Sequence, residues 1–166
     1  MLRLTIIAFV ILVFSLGWVC SSMYAAASSQ TVQKPLVLNS DGQNVLSTPS
    51  DRVPEDNIHV YSDRIVIDIK DASWATFTPT HSMEPLISEK ANGIETKPKS
   101  FTELKVGDVI SYKSEYADGI IIHRIIKTGF DENGWYAIVK GDNNSEQDPG
   151  KVRFEQINGV LVGVIY

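Results

Sequence analysis

The balance of apolar and polar positions along this 166-residue chain changes twice. Leu4 to Cys20 is an apolar run broken only by Thr5, Ser15 and Gly17, and Arg3 is the sole charged side chain before Lys34. A bilayer core of about 30 Å takes roughly 20 apolar residues of helix, a length reached when Ser21 to Ala27 enter the far interface. The run predicts one N-terminal transmembrane helix, residues 1–27. The positive charge ahead of it sets Met1 in the cytoplasm and everything after Ala27 outside. The small residues Ala25-Ala26-Ala27 keep a cleaved signal peptide open, although the run exceeds the ~7 to 15 apolar residues of such a segment. Both readings export the remainder of the chain.

From Ser28 to Asn57 the chain turns to Ser, Gln, Asn, Asp and Pro, with one short apolar patch at Leu36 to Leu38. This composition predicts a flexible stalk, residues 28–57, spanning roughly 30 Å as a coil. The folded domain is expected over residues 58–166, where the apolar period becomes two. Ile65, Ile67 and Ile69 alternate along Arg64 to Lys70, the pattern of a strand with one buried side. Trp74 to Thr78 leads towards Ser82, and Val109 to Tyr112 predicts a short strand. Asn92-Gly93 and Pro98 mark turns, and Phe101 to Gly107 predicts a short turn of helix.

The strongest local signal is a hairpin. Ile120 to Thr128 and Trp135 to Lys140 flank Asp131-Glu132-Asn133-Gly134, which tolerates positive φ. Taking those four residues as the loop puts Phe130 opposite Trp135 and, continuing the register, His123 opposite Asp142. Val160 to Tyr166 predicts a closing strand. The fold class expected is mostly β, an antiparallel β domain behind one N-terminal membrane helix.

Composition then excludes more than it assigns. A net charge of -5 with no basic cluster speaks against a nucleic-acid partner. The only cysteine, Cys20, lies in the apolar run, so no intrachain disulfide forms and no Cys/His metal spacing exists. No metal and no cofactor are expected.

The candidate chemistry centres on Thr78-Pro79-Thr80-His81-Ser82-Met83-Glu84-Pro85. Ser82 is a candidate nucleophile, but a serine hydroxyl is inert at neutral pH without a base, a group to orient that base, and donors for an oxyanion. His123, inside the apolar strand Ile120 to Ile126, is a candidate base. Asp142 and Asp148 are candidate partners for it. Each has an ordinary structural reading too: a core histidine that bonds a neighbour, and aspartates that close turns.

Taken together, Ser82-Met83-Glu84-Pro85, Gly107-Asp108-Val109-Ile110, Ile122-His123-Arg124, and Lys140-Gly141-Asp142-Asn143-Asn144 with Asp148 six residues beyond Asp142 are similar in order and spacing to the type I signal peptidases of archaea and the endoplasmic reticulum. The resemblance covers about residues 60 to 166. It implies a membrane-anchored serine endopeptidase that removes signal peptides from exported proteins. Ser82 would then be the nucleophile and His123, which stands where bacterial enzymes use a lysine, the general base. The Ser82 backbone N–H and the Thr80 hydroxyl would stabilise the oxyanion. The implied partners are the signal peptides of preproteins and the lipid membrane, with the secretion translocon as a further candidate. On the acid the two readings differ: hairpin register favours Asp142, whereas the resemblance favours Asp148, with Asp142 secondary.

The chain also departs from that family. His81 stands where Gly or Asn is usual, and adds a second candidate base. An extended backbone would point its side chain away from the Ser82 hydroxyl. The segment Ser88 to Val106 is longer than in compact members. About 60 residues separate Cys20 from Ser82, whereas the family keeps its nucleophile close to the anchor. That distance bears on the substrate more than on the chemistry.

Overall fold

The computed structural model describes residues 47–166; the expected membrane helix and residues 28–46 of the expected stalk lie outside the described residues. Among the described residues no helix is long and apolar enough to cross a membrane. The described residues are mostly β, with eight strands in two antiparallel sheets: β1 (Ile58–Val60), β2 (Ile65–Ile67), β3 (Ala72–Thr76), β4 (Asn92–Thr96), β5 (Val109–Lys113), β6 (Ile120–Asp131), β7 (Gly134–Lys140) and β8 (Ile157–Ile165). β1 and β2 form a two-stranded ribbon, and the other six strands are ordered β3-β4-β8-β5-β6-β7. Three single turns of 3-10 helix, Glu55–Asn57, Phe101–Glu103 and Phe154–Gln156, complete the elements.

The sheet is built around β5, which packs on both faces and carries four consecutive buried residues, Val109 to Tyr112. Because successive side chains alternate across a strand, Ile110 and Tyr112 enter one cluster with Ile125, Val139 and Val160. Val109 enters another, with Met83, Ile87, Ala91 and Leu161. Full burial of each such apolar side chain contributes about 1.5–3 kcal/mol. The second cluster matters for function, because Met83 is the residue after Ser82 and is 2% exposed. Its side chain pins the serine-bearing turn to the sheet.

Four expectations change. Asn92-Gly93, expected as a turn, begins strand β4, and the β6–β7 loop is Glu132-Asn133 alone, because Asp131 pairs with Gly134. The isoleucines of β2 do not face a core: Ile65 is 64% and Ile67 41% exposed. Their strand pairs only with β1 in the ribbon, so alternation here has no sheet face behind it. Residues 47–57, expected as the end of a free stalk, lie against the domain. The Ser50 N–H and the Arg52 guanidinium each donate to the fully buried Asp108 carboxylate at 2.7 Å. Burial alone would raise the pKa of Asp108. The Ser50 and Lys105 N–H groups and Arg52 instead hold it below the ordinary carboxylate value.

Candidate active site

Ser82 sits in a turn between β3 and β4, not on the extended approach expected from Trp74 to Thr78. β3 ends at Thr76, and His81 takes a positive φ of 59°. That left-handed conformation suits Gly or Asn better than other residues, which gives a physical reason for His81 to be the unusual residue there. The turn brings the hydroxyls of Thr80 and Ser82 to 3.2 Å, where they are hydrogen-bonded. They meet through this bend, not through the shared face of an extended segment. His81 is turned to Glu84, its Nδ1 2.8 Å from Oε1. The Glu84 carboxylate raises the pKa of His81, and the side chain is 63% exposed.

The turn rests on a second turn that follows β7. Asn143 donates its backbone N–H to the Ser82 carbonyl at 2.9 Å and its side-chain amide to the His81 carbonyl at 2.9 Å. Gly141 is needed for this approach, because a Cβ there would lie 2.6 Å from the Ser82 carbonyl oxygen. The turn closes on itself through the Asn144 N–H to the Gly141 carbonyl, 3.0 Å, and Lys140 Nζ caps it on the Asn144 carbonyl at 2.8 Å.

Beyond that turn the chain doubles back along β7. The Asp148 N–H donates to the Val139 carbonyl, and Ala137 and Val152 exchange both backbone hydrogen bonds, each at 2.9 Å. This return delivers the Asp148 carboxylate to His123, whose Nδ1–H donates to Oδ2 at 2.5 Å. The two side chains are 9% and 12% exposed. With Nδ1 so engaged, Nε2 is left as the acceptor nitrogen of a neutral ring.

Asp142 is placed elsewhere. The hairpin keeps the expected register from Phe130↔Trp135 to Lys127↔Ile138, but then shifts by one residue, pairing Ile125 with Val139 and Arg124 with Lys140. This one-residue irregularity at Ile126 removes the expected opposition of His123 and Asp142. Asp142 instead takes both arms of Arg124, from Nε at 2.7 Å and Nη2 at 2.6 Å, with each side chain 6% exposed. A third guanidinium N–H reaches the Gly107 carbonyl at 2.7 Å.

Sequence reasoning missed Tyr112. Its hydroxyl donates to Asp148 Oδ2, the oxygen that also holds His123. Burial, and then the Asp148 carboxylate, raise the pKa of the phenol, so the group stays protonated and donates. Its place follows from the strand pairing: β5 and β6 pair with Ile110 opposite His123, and Tyr112 lies two residues along β5 on the same face.

Ser82, Thr80 and His123 line one cleft of about 620 Å³ beside Phe77, Ile87 and Ile122. No hydrogen bond joins Ser82 Oγ to His123, and the Ser82 N–H has no acceptor among the described residues. The arrangement therefore offers a serine hydroxyl, an imidazole oriented by a carboxylate, and an unengaged N–H with a neighbouring hydroxyl. Among the described residues no group of three His, Cys, Asp or Glu side chains comes together to hold a metal. Comparison with family models, with curated proteins and with solved structures gives no match to this chain.

Proposed function

We propose that this chain is a membrane-anchored serine endopeptidase of the signal-peptidase type, acting outside the cytoplasm on the export signals of secreted proteins. The observation that carries the reading is the His123–Asp148 pair opening on the same cleft as Ser82. In the reaction the Ser82 hydroxyl leaves Thr80 and gives its proton to His123 Nε2 as Oγ attacks the scissile carbonyl carbon. Asp148 stabilises the imidazolium that forms. The Ser82 N–H and the freed Thr80 hydroxyl take the charge developing on the carbonyl oxygen. His123 then protonates the leaving amine, and a water deprotonated by the same imidazole hydrolyses the acyl-enzyme. The substrate would bind extended along the strand edge, with main-chain hydrogen bonds supplying affinity.

A second reading, a peptide-binding domain without turnover, draws on the Ser82 hydroxyl bonding Thr80 and not His123. One experiment separates the two. The full chain is treated with an active-site-directed serine acylator and incubated with a model preprotein, with Ser82→Ala as control and products read by mass spectrometry. Labelling at Ser82 and cleavage after a small residue, both lost in the variant, support the peptidase. Peptide binding with neither labelling nor cleavage supports the binder, and a shortened chain beside intact preprotein indicates self-processing.

A further inference from the structure

The cleft beside Ser82 holds an ionisable side chain that the proposed chemistry does not use. Glu95, on β4, is 6% exposed and lines the cleft with Ser111, Phe77, Ile87 and Ile122. The Ser111 hydroxyl donates to Glu95 Oε2 at 2.9 Å, whereas Oε1 is buried with no hydrogen-bond partner among the described residues. The place is built for a carboxyl. Gly159 of β8 leaves the room it occupies, since a Cβ there would lie 2.7 Å from Oε2.

A pocket meant only for a small aliphatic side chain gains nothing from such a group. A buried acceptor without a partner is destabilising relative to a satisfied one. Phe77, Ile87 and Ile122 give the cleft apolar surface near the carboxyl, so Glu95 discriminates there between an entering methyl group and an entering polar group. Burial raises the pKa of Glu95, against the opposing pull of the Ser111 hydroxyl. A hydroxyl or amide can both donate and accept, and so matches the carboxyl in either protonation state.

We propose that Glu95, held by Ser111, is a specificity-determining residue that selects substrates with a hydroxyl or amide side chain in a pocket preceding the scissile bond. This rests on the cleft being the peptide site of the peptidase proposed above. The test is binding of blocked ten-residue peptides, with Ala, Val, Ser or Asn at the first or third position before the scissile bond, to the full-length Ser82→Ala protein in detergent micelles. At one of these positions Ser or Asn should bind up to about tenfold tighter than Ala or Val, the scale of one hydrogen bond. Adding Glu95→Leu should abolish or reverse that preference, and Ser111→Ala should weaken it. Glu95→Gln, which keeps the shape, should retain it and serves where Glu95→Leu does not fold.

Equal binding of Ala and Ser or Asn peptides, a preference that survives Glu95→Leu, or no binding by any peptide overturns the proposal. Cleavage of the same peptides by the wild-type chain separates the two readings. Turnover with no Glu95-dependent preference removes the specificity role and leaves the peptidase. Glu95-dependent binding with no turnover and no Ser82 labelling leaves the pocket and removes the peptidase.

Discussion

Exchanging each aspartate for asparagine should produce opposite phenotypes. In Asp142→Asn the amide can still accept one hydrogen bond from Arg124, but its NH₂ faces a guanidinium N–H, donor against donor. The guanidinium charge then lies 6% exposed with the Gly107 and Ser47 carbonyls and half of its former partner. Breaking a buried pair in this way is destabilising by about 3–5 kcal/mol, a large share of the roughly 5–15 kcal/mol that holds a domain folded. For a domain of this size that lowers Tm by about 10–20 °C. The folded fraction should keep turnover within about a hundredfold of wild type, because the pair does not touch His123 and acts only by holding the turn that positions Ser82 and Asp148. In Asp148→Asn the amide presents N–H to His123 Nδ1 and favours the tautomer protonated on Nε2, which cannot accept the serine proton. That lowers the rate on the order of 10⁴-fold with little structural change. The assay pairs turnover of a fluorogenic peptide with thermal melting of the same preparations. A large rate loss at unchanged Tm in Asp142→Asn, with Asp148→Asn within about tenfold of wild type, would make Asp142 and not Asp148 the partner of His123.

Tyr112→Phe removes a donor from Asp148 Oδ2 and leaves more of the carboxylate charge to act on an imidazolium. The acid limb of the kcat/KM profile should therefore move to higher pH; an unmoved limb argues against Tyr112 acting through Asp148. His81→Asn should retain most activity, since asparagine tolerates the left-handed backbone and the imidazole is bonded to Glu84; a loss comparable to that of His123→Ala would make His81 the base. Glu95→Gln should change the pH dependence of stability. Burial holds the folded-state pKa of Glu95 above its unfolded value. Its contribution is therefore fully present below the unfolded value and lost as pH rises through the folded one. Melting curves of wild type and variant should diverge, the variant gaining, as pH rises above the ordinary glutamate value of about 4.3; parallel curves would contradict this.

How much could be read from the chain alone depends on how local each signal is. The β6–β7 hairpin and its register at Phe130 and Trp135 depend on a turn and on alternation a few residues away, and both appear in the sequence. The irregularity at Ile126 does not, because nothing in Ile125-Ile126-Lys127 marks where an extra residue enters the ladder. That one residue decides whether Asp142 meets His123 or Arg124. The ribbon of β1 and β2 misleads in the other direction, since alternating isoleucines state that a strand has an apolar face but not that anything covers it. Tyr112 and Glu95 escaped notice because single polar groups in apolar strands become meaningful only when three strands are laid side by side.

The site also depends on an order of construction that residue types do not reveal. Gly141 and Asn143 hold the Ser82 turn through its carbonyl oxygens, and the same stretch of chain, after returning along β7, supplies Asp148 to His123. Asp142 lies between these two tasks and is tied by Arg124 to the Gly107 carbonyl. Gly107 in turn pairs with the Ile125 carbonyl, and Ile125 with the Asp108 carbonyl. The Arg124–Asp142 pair therefore fixes where the turn leaves the sheet, and so fixes the serine and the acid relative to each other without touching either. The proposed nucleophile and base come from loops and strands far apart in sequence, and a misplacement of about 1 Å between such groups can lower a rate by ~10²-fold. A buried ion pair is an expensive way to gain stability. Here it holds the segment that carries both halves of the proposed chemistry, which gives the pair a reason to persist where apolar residues of equal volume would serve stability as well.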